Sequence, residues 1–233
     1  MIILIDYDNV NDSERNKGLR NLMERIILKL SSNNILNTLR IKVRLYGGWY
    51  ESNVLSRKGQ YLITEIKSNF PDTIKTLDGK KVIINVELAS SLEIEPNIFL
   101  YHTYRSNQVT FYGYRCQDPI NAGCCEPQCP LKYVFEFINN KKCPNNNCAI
   151  KPQDIISKNE QKLVDTMFIT DIIYHSNIKQ YSICIVSSDD DLWPGIRTAI
   201  LSGAEVIHLH TRSNFTSRYN KIPHTNYKVF SLV

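Results

Sequence analysis

Ile183-Cys184-Ile185-Val186-Ser187-Ser188-Asp189-Asp190-Asp191 is an apolar run that ends abruptly in hydroxyls and carboxylates, and Ile2-Ile3-Leu4-Ile5-Asp6-Tyr7-Asp8-Asn9 repeats that design at the start of the chain. A short unbroken apolar run bounded by polar residues reads as a strand buried on both faces, the kind found inside a parallel sheet. The intervening sequence supplies the helices that such a sheet needs. Leu19–Leu30 places apolar residues at 19, 22, 23, 26, 27 and 30, one face of an amphipathic helix. Arg40–Tyr46 alternates basic and apolar residues as a half-buried strand, stopped by Gly47-Gly48. Val54–Phe70 reads as a helix closed by Pro71, and Lys81–Leu88 as a strand. Asn97–Tyr104 and Gln108–Arg115 read as a hairpin around Ser106-Asn107. Glu160–Tyr174 reads as a buried helix, Tyr181–Val186 as a strand, Pro194–Leu201 as a helix ended by Gly203, and Ala204–His208 and Tyr227–Val233 as the last strands.

Strands that alternate with helices imply an α/β fold, a central parallel sheet flanked by helices. Ligands of such sheets bind beyond the carboxyl ends of the strands. Asp6 and Asp189 both stand just past a strand end, so the two opening stretches are expected to meet in one acidic site. Carboxylates at this density repel one another unless a cation neutralises them, and an oxygen-only donor set suits Mg²⁺ or Mn²⁺. A cation held there polarises a phosphoryl oxygen and lowers the pKa of a bound water. Asp165, early in the Glu160–Tyr174 helix, is a third candidate ligand. Asp171 lies six residues on, about 120° away around the helix axis, and is assigned to the second shell together with Asp8.

Residues 116–152 differ in composition. Six of the seven cysteines fall there, among Pro and Asn. An odd count in a chain expected to stay in the reducing cytosol argues against disulfides. Cys125-x3-Cys129 and Cys143-x4-Cys148 have knuckle-like spacing, with Cys116 and Cys124 as alternatives, so the segment is read as an irregular insertion and a candidate structural zinc site. Cys184 lies in an apolar strand and is expected to pack. His208 and His210 alternate with Ile207 and Leu209 and are assigned no metal.

A net charge of +5 permits a polyanionic partner without requiring one. Tyr101–Arg105 and Phe111–Arg115 interleave aromatics with arginine, the composition of a single-strand stacking platform. Arg105, Arg115, Arg212 and Arg218 are the candidate nucleic-acid contacts. No apolar run approaches the ~20 residues of a membrane helix, and no basic segment precedes Met1–Ile5 as in a signal peptide. A cytoplasmic protein without a membrane partner is expected, and a homo-oligomer stays open.

Three blocks together resemble the NYN subgroup of PIN-like nucleases, which includes the LabA-like proteins. They are Ile5-Asp6-Tyr7-Asp8-Asn9; Lys162-Leu163-Val164-Asp165 with Asp171; and Ser187-Ser188-Asp189-Asp190-Asp191-Leu192-Trp193-Pro194 followed by Gly203 and Val206. The resemblance implies a PIN-like, Rossmannoid domain over 1–115 and 153–233, with 116–152 inserted. It further implies Mg²⁺- or Mn²⁺-dependent hydrolysis of phosphodiesters, usually in RNA. Asp6, Asp165 and Asp189 would then be metal ligands, Asp191 a further ligand or water-positioner, and Asn9 and Ser187 would orient substrate or metal-bound water. Some members bind RNA without cutting it. A second resemblance, of Asp6-Tyr7-Asp8-Asn9-Val10 to the haloacid-dehalogenase phosphatases, implies Asp6 as nucleophile and Asp8 as acid/base.

Overall fold

The structure, a computed structural model, describes residues 1–101, 103–108, 116–126, 128–161, 163–178, 182–212 and 224–232, with the backbone alone described over 104–108 and 157–161. The chain divides into two compact units, Met1–Tyr104 with Gln161–Val233, and Arg105–Glu160.

The first unit is built on a seven-stranded sheet. Its strands are β1 (Ile2–Asp6), β2 (Arg40–Tyr46), β3 (Asp72–Lys75), β4 (Lys81–Leu88), β5 (Ile183–Val186), β6 (Val206–His210) and β7 (Tyr227–Ser231). The larger helices of the chain are α1 (Leu19–Ser32), α2 (Arg57–Asn69), α3 (Leu131–Asn140), α4 (Val164–Ile178) and α5 (Trp193–Leu201). The strand order is β7-β6-β5-β1-β2-β4-β3, parallel throughout except for the antiparallel β3–β4 edge pair.

Every residue of β1, β5 and β6 is buried, as expected of inner strands covered on both faces. Alternate residues of β1 feed the two layers. Ile3 and Ile5 pack with Leu19, Leu22, Met23, Ile26, Ile27 and Leu30 of α1. Ile2 and Leu4 pack with Val164, Phe168 and Ile172 of α4 and Ile196 and Ile200 of α5. Full burial of one such aliphatic chain stabilises by roughly 1.5–3 kcal/mol, so the α1 stripe alone commits that helix to the sheet. The outer strand β4 alternates exposed and buried residues instead.

The order places a switch point in the middle of the sheet. From β1 the chain moves outward to β2 and then β4. It later returns to the other side of β1 as β5 and moves outward again through β6 and β7. Ile2 pairs with Ile183 and Ile5 with Val186 in parallel register. The carboxyl ends of β1 and β5 are therefore neighbours, and the connections leaving them diverge. This is the crevice where α/β sheets bind ligands.

Several expectations need correction. The helix expected from Glu160 begins at Val164, because Leu163 adopts the left-handed region at φ 68°, which a right-handed helix cannot pass through. Ser157–Gln161 is a strand instead. The turn expected at Ser106-Asn107 lies inside the strand Tyr104–Gln108, which neighbours Ser157–Gln161. Glu95–Phe99 pairs back onto Ser91–Leu92. The second half of the expected hairpin, 109–115, lies outside the described residues. The short strand β3 was not expected. Within the second unit the stretch read as irregular contains α3, whose C-cap Lys141 takes a left-handed conformation at φ 56°. Among the described residues no helix is long and apolar enough to cross a membrane.

Candidate active site

At the switch point Asp6 ends β1 and is 8% exposed. Its Oδ1 accepts the Asn9 backbone N–H at 3.3 Å, and its Oδ2 accepts the Ser187 hydroxyl at 2.9 Å. Ser187 has no exposed surface. Its hydroxyl also accepts the Asp189 N–H at 3.0 Å. Asp189 Oδ1 accepts the Asp191 N–H at 2.9 Å and so caps the 3₁₀ turn Asp190–Leu192 that leads into α5. Pro194 stands in the first turn of α5, where its missing N–H costs nothing.

Asn9 ties the loop after β1 to the loop after β6. Its Oδ1 accepts the Ser188 N–H at 3.1 Å and the Thr211 hydroxyl at 3.2 Å. A backbone N–H is always a donor, so Oδ1 must be the oxygen and the Asn9 NH₂ group is left to donate. Thr211 is 1% exposed. Its hydroxyl also lies 3.0 Å from the Asn9 carbonyl and 3.0 Å from Ser188 Oγ. Sequence reasoning missed Thr211. The rule that pointed to Asp6 and Asp189 also applied to it, because it is the first residue past β6.

The charges are strongly felt. Asp6 is pushed up to about 6, first by burial and then by Asp189 and Asp165, against the Ser187 and Asn9 hydrogen bonds that favour its charged form. Asp165, in the first turn of α4, is also raised, by desolvation and then by Asp189 and Asp191. Four carboxylates from three separate segments thus act on one another. The donors are all oxygen, which fits a hard divalent cation. Among the described residues no three His, Cys, Asp or Glu side chains converge as a ready-made cation cage. Asp165 and Asp191 are solvent-facing.

Two residues assigned to the second shell are engaged with other partners. Asp171 is completely buried on the inner face of α4. Its Oδ2 accepts the Tyr46 hydroxyl at 2.6 Å, its Oδ1 accepts the Glu93 N–H at 2.9 Å, and Arg44 Nε lies 3.7 Å away. It belongs to a structural charge network that joins α4 to β2. Asp8 pairs with Lys58 and lies 3.6 Å from Arg15 Nη1, while its Oδ2 accepts the Gly48 N–H at 3.1 Å.

His208 was set aside as a metal ligand, and its contacts give it a different task. Its Nε2–H donates to the Ser187 carbonyl at 3.0 Å, and its Nδ1 faces the Tyr227 hydroxyl at 3.0 Å. Burial, then the neighbouring His210, lowers it to about 3, so it is neutral at physiological pH.

The cysteines are free thiols, and only Cys184 is buried. No three of them converge with one another. The residues read as a zinc set, Cys125, Cys129, Cys143 and Cys148 with Cys116 and Cys124 as alternatives, flank α3, which lies between Cys129 and Cys143. Arg212 follows β6 and is exposed, its backbone N–H 3.2 Å from Ser188 Oγ. Arg115, Arg218 and Lys162 lie outside the described residues, as does the side chain of Arg105.

No protein family, curated protein or solved structure matches the chain.

Proposed function

We propose that this chain is a Mg²⁺- or Mn²⁺-dependent endonuclease that hydrolyses phosphodiester bonds, with RNA as its substrate. One observation carries the reading. Asp6 and Asp189 stand at the neighbouring carboxyl ends of β1 and β5, tied together through Ser187, and Asp6 and Asp165 are both shifted upward, first by burial and then by charges that include Asp189. A protein that needed these residues only for capping would not crowd their charges together at an open sheet crevice. The likeness of the three sequence blocks to NYN-type nucleases supports the same reading.

Asp6, Asp165 and Asp189 would hold the cation. When bound, it supplies charge neutralisation of the phosphoryl group and a water of lowered pKa. The chain's own residues do the rest. Ser187 fixes the Asp6 carboxylate, and Asp191 stands beside the ligands as an acceptor for the attacking water's proton. Asn9 offers its free NH₂ to a substrate or water oxygen.

The phosphatase alternative asks Asp8 to work as an acid/base. The contacts of Asp8 weigh against it, because both of its oxygens are already engaged, Oδ1 by Lys58 and Arg15 and Oδ2 by the Gly48 N–H.

The test is cleavage of labelled single-stranded RNA with Mn²⁺, with Mg²⁺ and in EDTA. Cleavage should need the metal and should be abolished by Asp6→Asn and by Asp189→Asn. Full activity in EDTA or in either variant sinks the reading. Turnover of a phosphate monoester with an aspartyl-phosphate at Asp6 would replace it with the phosphatase. Salt-sensitive RNA binding without cleavage would leave a silent binding module.

A further inference from the structure

Lys58 stands in a place that helix stability does not favour. It is the second residue of α2, and the first turn of that helix holds Arg57 and Lys58 and no acid. Cations there oppose the positive end of the helix dipole. The ammonium pairs with Asp8 and lies 5.3 Å from the Tyr7 ring centre and 5.5 Å from that of Trp49. It also feels the charge of Asp6, although burial is the larger influence on it. Arg15 approaches the same Asp8 oxygen, with its Cζ 5.9 Å from the Tyr7 ring centre.

Asp8 itself is held rigidly. The Gly48 N–H binds it, and a Cβ at Gly47 would come within 2.9 Å of its Oδ2 and 2.8 Å of the Trp49 ring. The Gly47-Gly48 turn therefore lets the loop after β2 close on Asp8. A lysine that would otherwise sample many rotamers is thus pre-aimed beside Asp6, with part of its side-chain ordering already done. Its side chain keeps 36% of its surface in solvent.

A phosphate chain that enters a crevice lined by Asp6, Asp165, Asp189 and Asp191 meets repulsion, and a cation set beside that crevice offsets it. We propose that Lys58, seconded by Arg15, contacts a backbone phosphate of the nucleic-acid substrate, and that Asp8 holds its place in the free protein. Carboxylate and phosphate present similar oxygens to an ammonium, so the exchange needs no rearrangement of α2. This inference rests on the endonuclease reading, and its test separates the two.

The experiment measures the anisotropy of a fluorescein-labelled single-stranded RNA oligonucleotide in EDTA, over a series of salt concentrations. It compares the full chain with Lys58→Met, Lys58→Arg, Asp8→Asn and the double variant Asp8→Asn/Lys58→Met, each checked by thermal melting. Lys58→Met should weaken binding severalfold at low salt. It should also flatten the plot of log affinity against log salt by about 0.7, the share of one single-strand phosphate contact. Lys58→Arg should keep the slope. Asp8→Asn should tighten binding, and by clearly less in the Lys58→Met background, where Arg15 alone is released. An unchanged slope in Lys58→Met overturns the proposal, as does tightening by Asp8→Asn that is as large in the Lys58→Met background as in the unmodified chain. If the unmodified chain binds no RNA, the endonuclease reading falls and takes this inference with it. Binding that follows these rules without metal-dependent cleavage removes the hydrolysis and leaves the Lys58 contact standing.

Discussion

The Ser187 hydroxyl donates to the Asp6 carboxylate at 2.9 Å, joining residues 181 positions apart across neighbouring strands. It links the two acidic stretches directly, as the Ser188 N–H on Asn9 also does, and it favours the charged form of a buried acid. Ser187→Ala should raise the Asp6 pKa further, by roughly one to two units for a charge-assisted hydrogen bond of about 1.5–3 kcal/mol. Carbonyl-carbon NMR titration of the Asp6 side chain reads this directly. Mn²⁺ affinity near neutral pH should fall with it. An unchanged Asp6 titration in Ser187→Ala would show that the hydroxyl does not tune the acid.

Asp6 also links stability to pH. Its folded value of about 6 lies above the ordinary 3.8, so the folded state holds a proton that the unfolded state has released. The stability this proton contributes is complete below about pH 4 and is lost as pH rises through 6. The shift is worth roughly 3 kcal/mol. In EDTA, urea midpoints of the unmodified chain should fall relative to Asp6→Asn between pH 4 and pH 6.5. At pH 7, Mn²⁺ should raise the melting temperature of the unmodified chain and not that of Asp6→Asn, because a ligand that binds only the folded state stabilises it. Equal Mn²⁺ effects on the two proteins would remove Asp6 from the ligand set.

Asp165 and Asp171 share a helix and should behave as opposites. Asp171→Ala breaks a fully buried network with Tyr46, Arg44 and the Glu93 N–H, and it should destabilise by about 3–5 kcal/mol. Asp165→Asn, at a solvent-facing position, should change stability by less than about 0.5 kcal/mol, yet lose metal-dependent cleavage. Chemical denaturation set beside the RNA-cleavage assay separates them. A stable Asp171→Ala with lost cleavage would reverse the assignment.

That contrast shows where sequence reasoning reaches and where it stops. The ends of β1 and β5 were legible because unbroken apolar runs mark inner parallel strands and because their terminal carboxylates need a reason to be together. The inner face of α4 was not. The helix is apolar on nearly every side, so its period did not reveal that Val164, Met167, Phe168, Asp171, Ile172 and His175 form the buried stripe. An aspartate on that stripe looks in sequence like one facing a ligand. The edge strand β3, four residues with only Ile74 buried, had too little pattern to register. Lys58 and Arg15 look like ordinary surface charges until the Gly47-Gly48 turn brings Asp8 between them. The stretch between Cys129 and Cys143 reads as irregular on the strength of its cysteines, although the apolar positions Leu131, Val134, Phe137 and Ile138 already spell a helix.

His208 completes the set, as the support beneath Ser187. Its depressed value of about 3, against an ordinary 6.5, means that the unfolded state takes up a proton that the folded state refuses. The stability held by neutral His208 is complete above pH 6.5 and is lost as pH falls toward 3. Asp6 acts with the opposite sign over much of this range, so the comparison belongs in the Asp6→Asn background. There, His208→Phe should lower stability at pH 7 by about 1–3 kcal/mol, because the Ser187 carbonyl and Tyr227 hydroxyl lose a buried partner. It should also flatten the acid limb of the stability curve between pH 6.5 and pH 4. With Asp6 restored, His208→Phe should slow cleavage and raise the metal concentration needed for half-maximal rate, because the Ser187 backbone is then free to shift. A full loss of stability at pH 7 with an unchanged acid limb would mean that His208 packs without titrating. An unchanged metal requirement would place it outside the support of Asp6.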